Sequence, residues 1–394
     1  MREHPRILFL TSSINYPAFN KRINALSDDT MSSLVLGFER NFEYPTKDVQ
    51  ISTVSLGKIQ NGNYWKRLFL ILKAIRKTAE IVGNYDTVYC FGLDMAMLAV
   101  ISTLFSPTKT LVYEVQDIRP TQTNKGLISG IVRKIEKIIV NISDCVVVTS
   151  QDYICQYYEN ILRLKTENFI VIENKLSHAP ARQNITNFDN TTNVEQHLTI
   201  GYFGSIRCEK AWQYLLQLCE KNPHKIKLKI HGAPSGIDNF DERLSKHSNI
   251  QYLGPFLDPE QLEEVYSSVD VVWAAGFHGK ASYAWSRSCR FYNAGYFNKP
   301  IISQDLTSEG KVVKNLDIGL TIDISDPASM KKIEDISHQN LKTWKRNLAA
   351  LPQDMFIHNG EHKRLIEMIR ENHEHNREAR SRKTIQNTSF KARN

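Results

Sequence analysis

Short apolar runs alternate with amphipathic helical stretches along almost the whole chain, and few architectures accept that pattern. In the first half the candidate strands are Arg6–Thr11, Ser33–Phe38, Val49–Leu56, Thr87–Phe91, Thr110–Val115, Cys145–Thr149 and Phe169–Ile172. Each is rich in Val, Ile, Leu, Tyr or Phe and ends at polar or turn residues. Helix-period segments lie between them, at Tyr64–Ile81, Leu93–Phe105, Leu127–Ile142 and Tyr153–Leu162. Strands that are apolar throughout are buried on both faces, so this order implies a parallel sheet covered by helices.

The alternation breaks once, at Ser177–Gln196, a run of Asn, Thr, Gln and other polar residues with almost no apolar periodicity. It then resumes, with strands expected at Leu198–Phe203, Ile226–Ile230, Ile250–Leu253, Val269–Trp273, Pro300–Ser303 and Gly319–Ile324. Helices are expected at Lys210–Lys221, Pro259–Ser268, Ala284–Phe297, Asp326–Ile336, Leu341–Leu351 and from Gly360 to about His373. The 394 residues thus divide into a first α/β domain (1–176), a linker (177–197), a second α/β domain (198–355), a helix (356–373) placed to cross back to the first domain, and a basic tail (374–394) expected to be disordered. Ligands of such sheets sit beyond the C-terminal strand ends, so a cleft between the domains is the expected site.

Composition removes several classes. Charged residues make up 23% and hydrophobic ones 41%, which excludes a mainly disordered chain. No apolar run approaches the ~18 residues of a membrane span, and Ile7–Leu10 is too short for a signal-peptide core. Six cysteines without a C-x-x-C pair fit free thiols of the cytoplasm and give no zinc site. The net charge is +8, and the tail holds six basic residues against two acidic, half of the excess. No nucleic acid is expected as a partner, since a dedicated binder carries its charge as a stripe on a folded face.

Two segments carry candidate chemistry. Gly201–Lys210, GYFGSIRCEK, runs from a strand through glycines to a helix start. Gly204 allows close backbone approach beside Ser205, free helix N–H groups face a ligand, and Arg207 and Lys210 add charge, which together suit a diphosphate. In Arg290–Ile302, RFYNAGYFNKPII, Arg290 and Asn293 share a helix face; Arg290 is a candidate for phosphate and Asn293 for sugar hydroxyls.

These segments resemble the donor domain of GT-B glycosyltransferases, closest to the retaining, glycogen-synthase-like (family 4 type) enzymes of bacterial surface polysaccharides. YEVQDIRP (Tyr113–Pro120), SDCVVVTSQDY (Ser143–Tyr153) and FIVIENK (Phe169–Lys175) extend the likeness more loosely over the first half. The resemblance implies two Rossmann-like domains facing a central cleft. It implies transfer of a sugar from a nucleotide diphosphate sugar, UDP- or GDP-linked, to a hydroxyl of a glycan or lipid-linked glycan. The donor residues it adds are His231, Gly232, Phe256, Lys280 and Tyr292; on the acceptor side it places Arg22 and Asn24. Asp117 is a candidate general base, and Lys210 and Arg207 are candidates for neutralising the leaving diphosphate. No metal or cofactor is called for, and no Asp-x-Asp motif is present.

The chain departs from that family at three positions. Ser205 stands where the family's Arg is usual, Asn293 replaces the Glu that binds ribose, and its partner acid falls at Trp285. The stereochemical outcome therefore stays open. A nucleotide-sugar epimerase of the same fold, or a non-catalytic glycan- or RNA-binding protein on this scaffold, are the rival readings. Two basic, apolar helices, Trp65–Lys77 and Gly126–Ile142, add a possible peripheral contact with the cytoplasmic face of the inner membrane.

Overall fold

The structure, a computed structural model, describes residues 5–27, 32–40, 51–59, 64–104, 109–177, 179, 197–276 and 281–391. The chain forms two compact units. One comprises the chain up to Ile172 together with everything from Gly360 onward; the other is Glu173–Asn359. The expected linker lies almost wholly outside the described residues.

Unit 1 runs β1 (Arg6–Thr11), α1 (Pro17–Ser27), β2 (Ser32–Glu39), β3 (Thr53–Lys58), α2 (Tyr64–Val82), β4 (Thr87–Phe91), α3 (Leu93–Thr103), β5 (Thr110–Val115), α4 (Pro120–Thr123), α5 (Leu127–Ile142), β6 (Cys145–Val148), a π-helical stretch Tyr153–Glu159, and β7 (Phe169–Val171). The strands pair in the order β3-β2-β1-β4-β5-β6-β7, all parallel. The strands are uniformly apolar because helices cover both sheet faces. On one face Ile7, Phe9, Tyr89, Phe91, Val112 and Val147 form a core with helical residues that include Ile23 and Leu26 of α1.

Unit 2 runs β8 (Leu198–Ile206), α6 (Glu209–Lys221), β9 (Ile226–Pro234), α7 (Phe240–Leu244), β10 (Ile250–Tyr252), α8 (Leu262–Ser267), β11 (Val271–Trp273), α9 (Ala281–Trp285), α10 (Cys289–Tyr296), β12 (Ile301–Gln304), α11 (Ser308–Asn315), β13 (Gly319–Ile322), α12 (Ser329–Glu334), α13 (His338–Ala349) and a 3₁₀ turn at Gln353–Met355. Its parallel sheet has the order β10-β9-β8-β11-β12-β13. Trp212 and Trp273 are fully buried on it. A last helix, α14 (Glu361–Lys391), returns the chain to unit 1, where Leu365, Ile366 and Ile369 complete the α1-side core.

Four expectations change. The segment 374–394, expected to be disordered, is helical to Lys391; 361–391 holds no Gly or Pro, and the apolar first turns anchor it. The expected helix Ala284–Phe297 is two helices, because Ser288 caps a fresh start by accepting from the Phe291 N–H. The helix expected from Pro259 starts at Leu262. The expected glycine turn after Phe203 is strand, since β8 and β9 pair through Gly204↔Gly232 and Ser205↔Ala233 to Ile206↔Pro234.

One buried carboxylate sets the rotation of α5. Glu136 accepts hydrogen bonds from Tyr113 (3.1 Å), Tyr157 (2.6 Å), Tyr158 (3.0 Å) and Gln122 (2.8 and 3.0 Å). Burial pushes its pKa up, against the opposing pull of those donors. An acid whose pKa is raised by folding favours the folded state while protonated, and that contribution is lost as pH rises from the unfolded value, near 4.5, through the folded one. Glu136→Gln cannot titrate, so the stability margin of the parent over this variant is expected to narrow as pH rises across that window; denaturant titrations of both proteins at several pH values measure it.

Candidate functional site

The strand order of unit 2 reverses between β8 and β11, and the crevice beyond their carboxyl ends is where open α/β sheets bind ligands. There β8 and β9 overhang the sheet: β8 pairs with β11 only at Ile200 and Gly201. The overhang depends on two glycines. Gly204 takes φ +87°, and a Cβ on Gly232 would lie 1.8 Å from the Gly204 carbonyl oxygen. The Gly232 N–H in turn donates to the Gly254 carbonyl (2.8 Å), so three strand ends are tied into one backbone shelf.

Cations and tyrosines gather beside this shelf. Arg290 in α10 lies over the Tyr202 ring, 5.1 Å from its centroid, and reaches the Trp273 carbonyl at 3.5 Å. Burial pulls its pKa down, but Tyr202, Tyr283 and Glu309 outweigh that and raise it. Burial pushes the Tyr202 phenol up to about 12, so it stays neutral beneath the cation. Arg207, exposed between β8 and α6, donates to Tyr283 Oη at 3.2 Å and lies over that ring. Tyr283 packs against Gly276, three residues beyond β11, where a Cβ would come within 2.9 Å. Lys210 is exposed in the first turn of α6, a 13-residue helix whose N-terminal N–H groups carry partial positive charge. Three cations at a sheet's carboxyl edge give this end of unit 2 a positive local potential.

Glu309 sets the position of Arg290. It is buried, accepts from the Ser288 N–H and Oγ (2.8 Å each) and from Ser303 Oγ (3.0 Å), and so fixes where α10 begins. Burial raises its pKa, while these donors and the Arg290 charge lower it. Glu309, Tyr202 and Tyr283 escaped the sequence reasoning. Only Thr307 followed by Ser308-Glu309, a helix-capping pattern, marked the place of Glu309.

On the other side of the shelf, His231 lies edge-on to Phe203 and Phe256, at centroid distances of 6.0 and 6.3 Å. Burial lowers its pKa below the usual imidazole value; Glu264 opposes this and Lys229 adds to it. A neutral imidazole between two rings can line an aromatic slot.

The sequence-chosen residues separate accordingly. Gly204, Ser205, Lys210, His231, Gly232 and Arg290 belong to strand ends or flanking helices of unit 2, and Arg207 and Phe256 to the loops that follow β8 and β10. Lys280 lies outside the described residues. Asn293 and Tyr292 are buried in the core of α10: Asn293 hydrogen bonds Tyr266, and Tyr292 sits beside Glu173, whose charge and whose shared burial raise the phenol pKa. Arg290 and Asn293 do share a helix face, since both act on Tyr266 of α8, but Asn293 is buried there with its amide engaged by the phenol.

In unit 1, Arg22, expected as an acceptor-side anion contact, is engaged inside the unit instead. It is buried, its Nε pairs with Glu114 (3.2 Å), one Nη donates to the Ile172 carbonyl (3.1 Å) and the other contacts His362 Nε2 (2.6 Å). Tyr89 Oη donates to the same carboxylate. Asn24 is half-buried two residues on in α1. Asp117 is exposed just beyond β5, and the cap of α4 is Arg119. Among the described residues, no group of three or more His, Cys, Asp or Glu could hold a metal ion.

Comparison with known proteins bears on the fold. The crystal structure of Anabaena HepE in complex with UDP and glucose superposes with a TM-score of 0.66 over 93% of this chain and 99% of that one, at 15% identity. The fold is GT-B. WaaG, a glycosyltransferase involved in lipopolysaccharide biosynthesis, matches with a TM-score of 0.63 at 13% identity, covering 92% of this chain and 99% of that one. By sequence, the GT-B chain is 22% identical over 339 residues to the succinoglycan biosynthesis protein ExoL of Rhizobium meliloti, 83% of each protein. No family model matches.

Two substitutions separate site from scaffold. Gly232→Ala forces apart the β8–β9 overhang and is expected to cost about 1–3 kcal/mol by overpacking, seen in denaturant unfolding. Arg22→Ala strands the Glu114 charge and is expected to cost about 3–5 kcal/mol. The same unfolding measurement then shows Arg22 acting on stability; unchanged stability with weakened acceptor binding would return it to the surface.

Proposed function

We propose that this chain is a glycosyltransferase that moves a sugar from a nucleotide diphosphate sugar, UDP- or GDP-linked, to a hydroxyl of a glycan or lipid-linked glycan in surface-polysaccharide biosynthesis. It works in the cytoplasm, at the membrane face where such acceptors stand. The observation that carries the reading is the convergence of Arg207, Arg290 and Lys210 beside the glycine shelf at the switch point of unit 2. The HepE complex with UDP and the ExoL likeness support it.

In the transfer the bond between the anomeric carbon and the diphosphate oxygen breaks, and negative charge grows on the departing diphosphate. Fixed cations at that place stabilise the transition state more than the ground state. Arg290 is held in advance by Tyr202 and by the Glu309-capped start of α10, so little reorganisation accompanies the charge. The neutral His231 with Phe256 offers the nucleobase an aromatic edge. Asp117 is the carboxylate assigned to deprotonate the acceptor hydroxyl where the anomeric centre inverts.

Thermal unfolding with UDP, GDP, CMP, ADP and dTDP tests the donor site, because a ligand of the native state raises the midpoint by mass action. A shift with UDP or GDP is expected. Lys210→Ala and Arg207→Ala should each weaken that nucleotide about tenfold or more, the worth of one charge-assisted hydrogen bond, with the nucleotide-free midpoint unchanged. No shift with any nucleotide would reject the assignment. Asp117→Asn should leave the shift intact and reduce turnover; unchanged turnover would assign a retaining route that needs no base there.

A further inference from the structure

The outward face of α5 is apolar where a helix on a water-facing surface is normally polar. Leu127, Ile128, Ile131, Ile138 and Ile142 are between 47% and 88% exposed. Positions 127, 131, 134, 138 and 142 recur every three or four residues and so form one stripe. The exposure is built in. Glu136 with its tyrosines, and buried Ser129, Ile139 and Val140, hold the opposite side against the sheet, so α5 cannot rotate to hide the stripe.

The stripe has neighbours. α3 packs against both α5 and α2, and it ends at exposed Ile101 and Leu104. α2 exposes Phe69 and Leu72. Of the thirteen large hydrophobics exposed among the described residues, nine therefore fall on α2, α3 with its cap, and α5. On α5 and just before it the solvent-facing charges have one sign, exposed Lys125 and Lys134 and half-buried Lys137, while the single acid of α5 is the buried Glu136; α2 adds exposed Lys73, and its exposed acid Glu80 is paired with Arg76. Arg133 is engaged with the Gln122 and Asn124 carbonyls and is not counted. No described helix is long and apolar enough to cross a membrane. α5 spans about 24 Å, enough to lie along an interface.

We propose that the α5 face, extended by α2 and α3, docks unit 1 on the surface of a membrane containing anionic lipid, the Ile and Leu side chains entering the headgroup boundary and the lysines meeting lipid phosphates. Charge complementarity selects this occupant: an apolar stripe with Lys134 in it and Lys125 and Lys137 on the same helix or its approach repels a second copy of itself and attracts an anionic surface. The inference names where the proposed enzyme meets a lipid-linked acceptor, yet it rests on the surface of unit 1 alone and needs no nucleotide.

Flotation of the full chain with phosphatidylcholine vesicles, with and without about 30 mol% phosphatidylglycerol, tests it. Binding is expected with the anionic vesicles and should weaken as salt rises. Ile131→Glu/Ile138→Glu should lose about tenfold or more in partitioning, and Lys134→Glu/Lys137→Glu the salt-dependent part. Ile131, Lys134 and Ile138 are exposed and Lys137 is half-buried, so the unfolding midpoint and any nucleotide-induced shift should match the parent. Absence of binding, or equal binding by Ile131→Glu/Ile138→Glu, overturns the proposal. So does a self-associating parent dispersed by those substitutions without vesicle binding, which would assign the face to a second copy. Because the readout contains no donor, the membrane inference and the transferase reading fail independently.

Discussion

Three buried carboxylates hold the two sheets and their helices in register. Glu114 on β5 receives Arg22 of α1, and Arg22 reaches on to His362 at the start of α14 and to the Ile172 carbonyl. Glu136 on α5 gathers phenols from β5 and from the π-helical stretch after β6. Glu309 on α11 caps the start of α10. Apolar packing drives these elements together but is nearly indifferent to the rotation of a helix about its axis. A carboxylate that must find its donors is not indifferent, and an unmet one costs far more than a lost methyl contact.

The three nodes differ in electrostatics, and the differences match their work. Glu114 meets a guanidinium, so the pair tolerates burial as an ion pair. Glu136 meets only phenols and an amide, and burial raises its pKa despite five short contacts. Glu309 lies between these extremes, with hydroxyl and amide donors in contact and Arg290 as a more distant cation. Its consequence reaches furthest, because the residue two places beyond its Ser288 partner is Arg290.

Strand positions were legible in the sequence because parallel strands buried on both faces leave uninterrupted apolar runs: Arg6–Thr11, Thr87–Phe91 and Thr110–Val115 were read to the residue. The break at Ser286–Ser288 was not legible, since it depends on Glu309, a residue more than twenty positions away, accepting from Ser288. The β8–β9 overhang was missed for a related reason: glycines near a strand end read as a turn, and only the partner Gly232 shows that they permit close pairing. At the site the separation is similar. Arg207 and Lys210 stood out beside a helix start. Arg22 stood out only through the family resemblance, as an acceptor-side anion contact, and its burial follows from Glu114 and His362, both distant in sequence.

The departures from the family pattern at Ser205 and Asn293 acquire a physical meaning in this frame. Ser205 lies in the extended β8–β9 ribbon, paired with Ala233, so a cation there would leave from a strand rather than from a loop. Arg207, two residues on and past the strand end, stands free of that constraint and meets Tyr283. Asn293 faces inward to Tyr266, which an ionised glutamate could do only by losing its solvent, whereas an amide satisfies the phenol without charge. One turn earlier, Arg290 carries the charge of α10 onto Tyr202. On the proposed reading the diphosphate is held by Arg207, Lys210 and Arg290 on a shelf of paired glycines. With Asn293 turned into the core, and with the buried Gly232 already donating to the Gly254 carbonyl and accepting from Tyr252, the ribose hydroxyls on that reading must find their partners elsewhere.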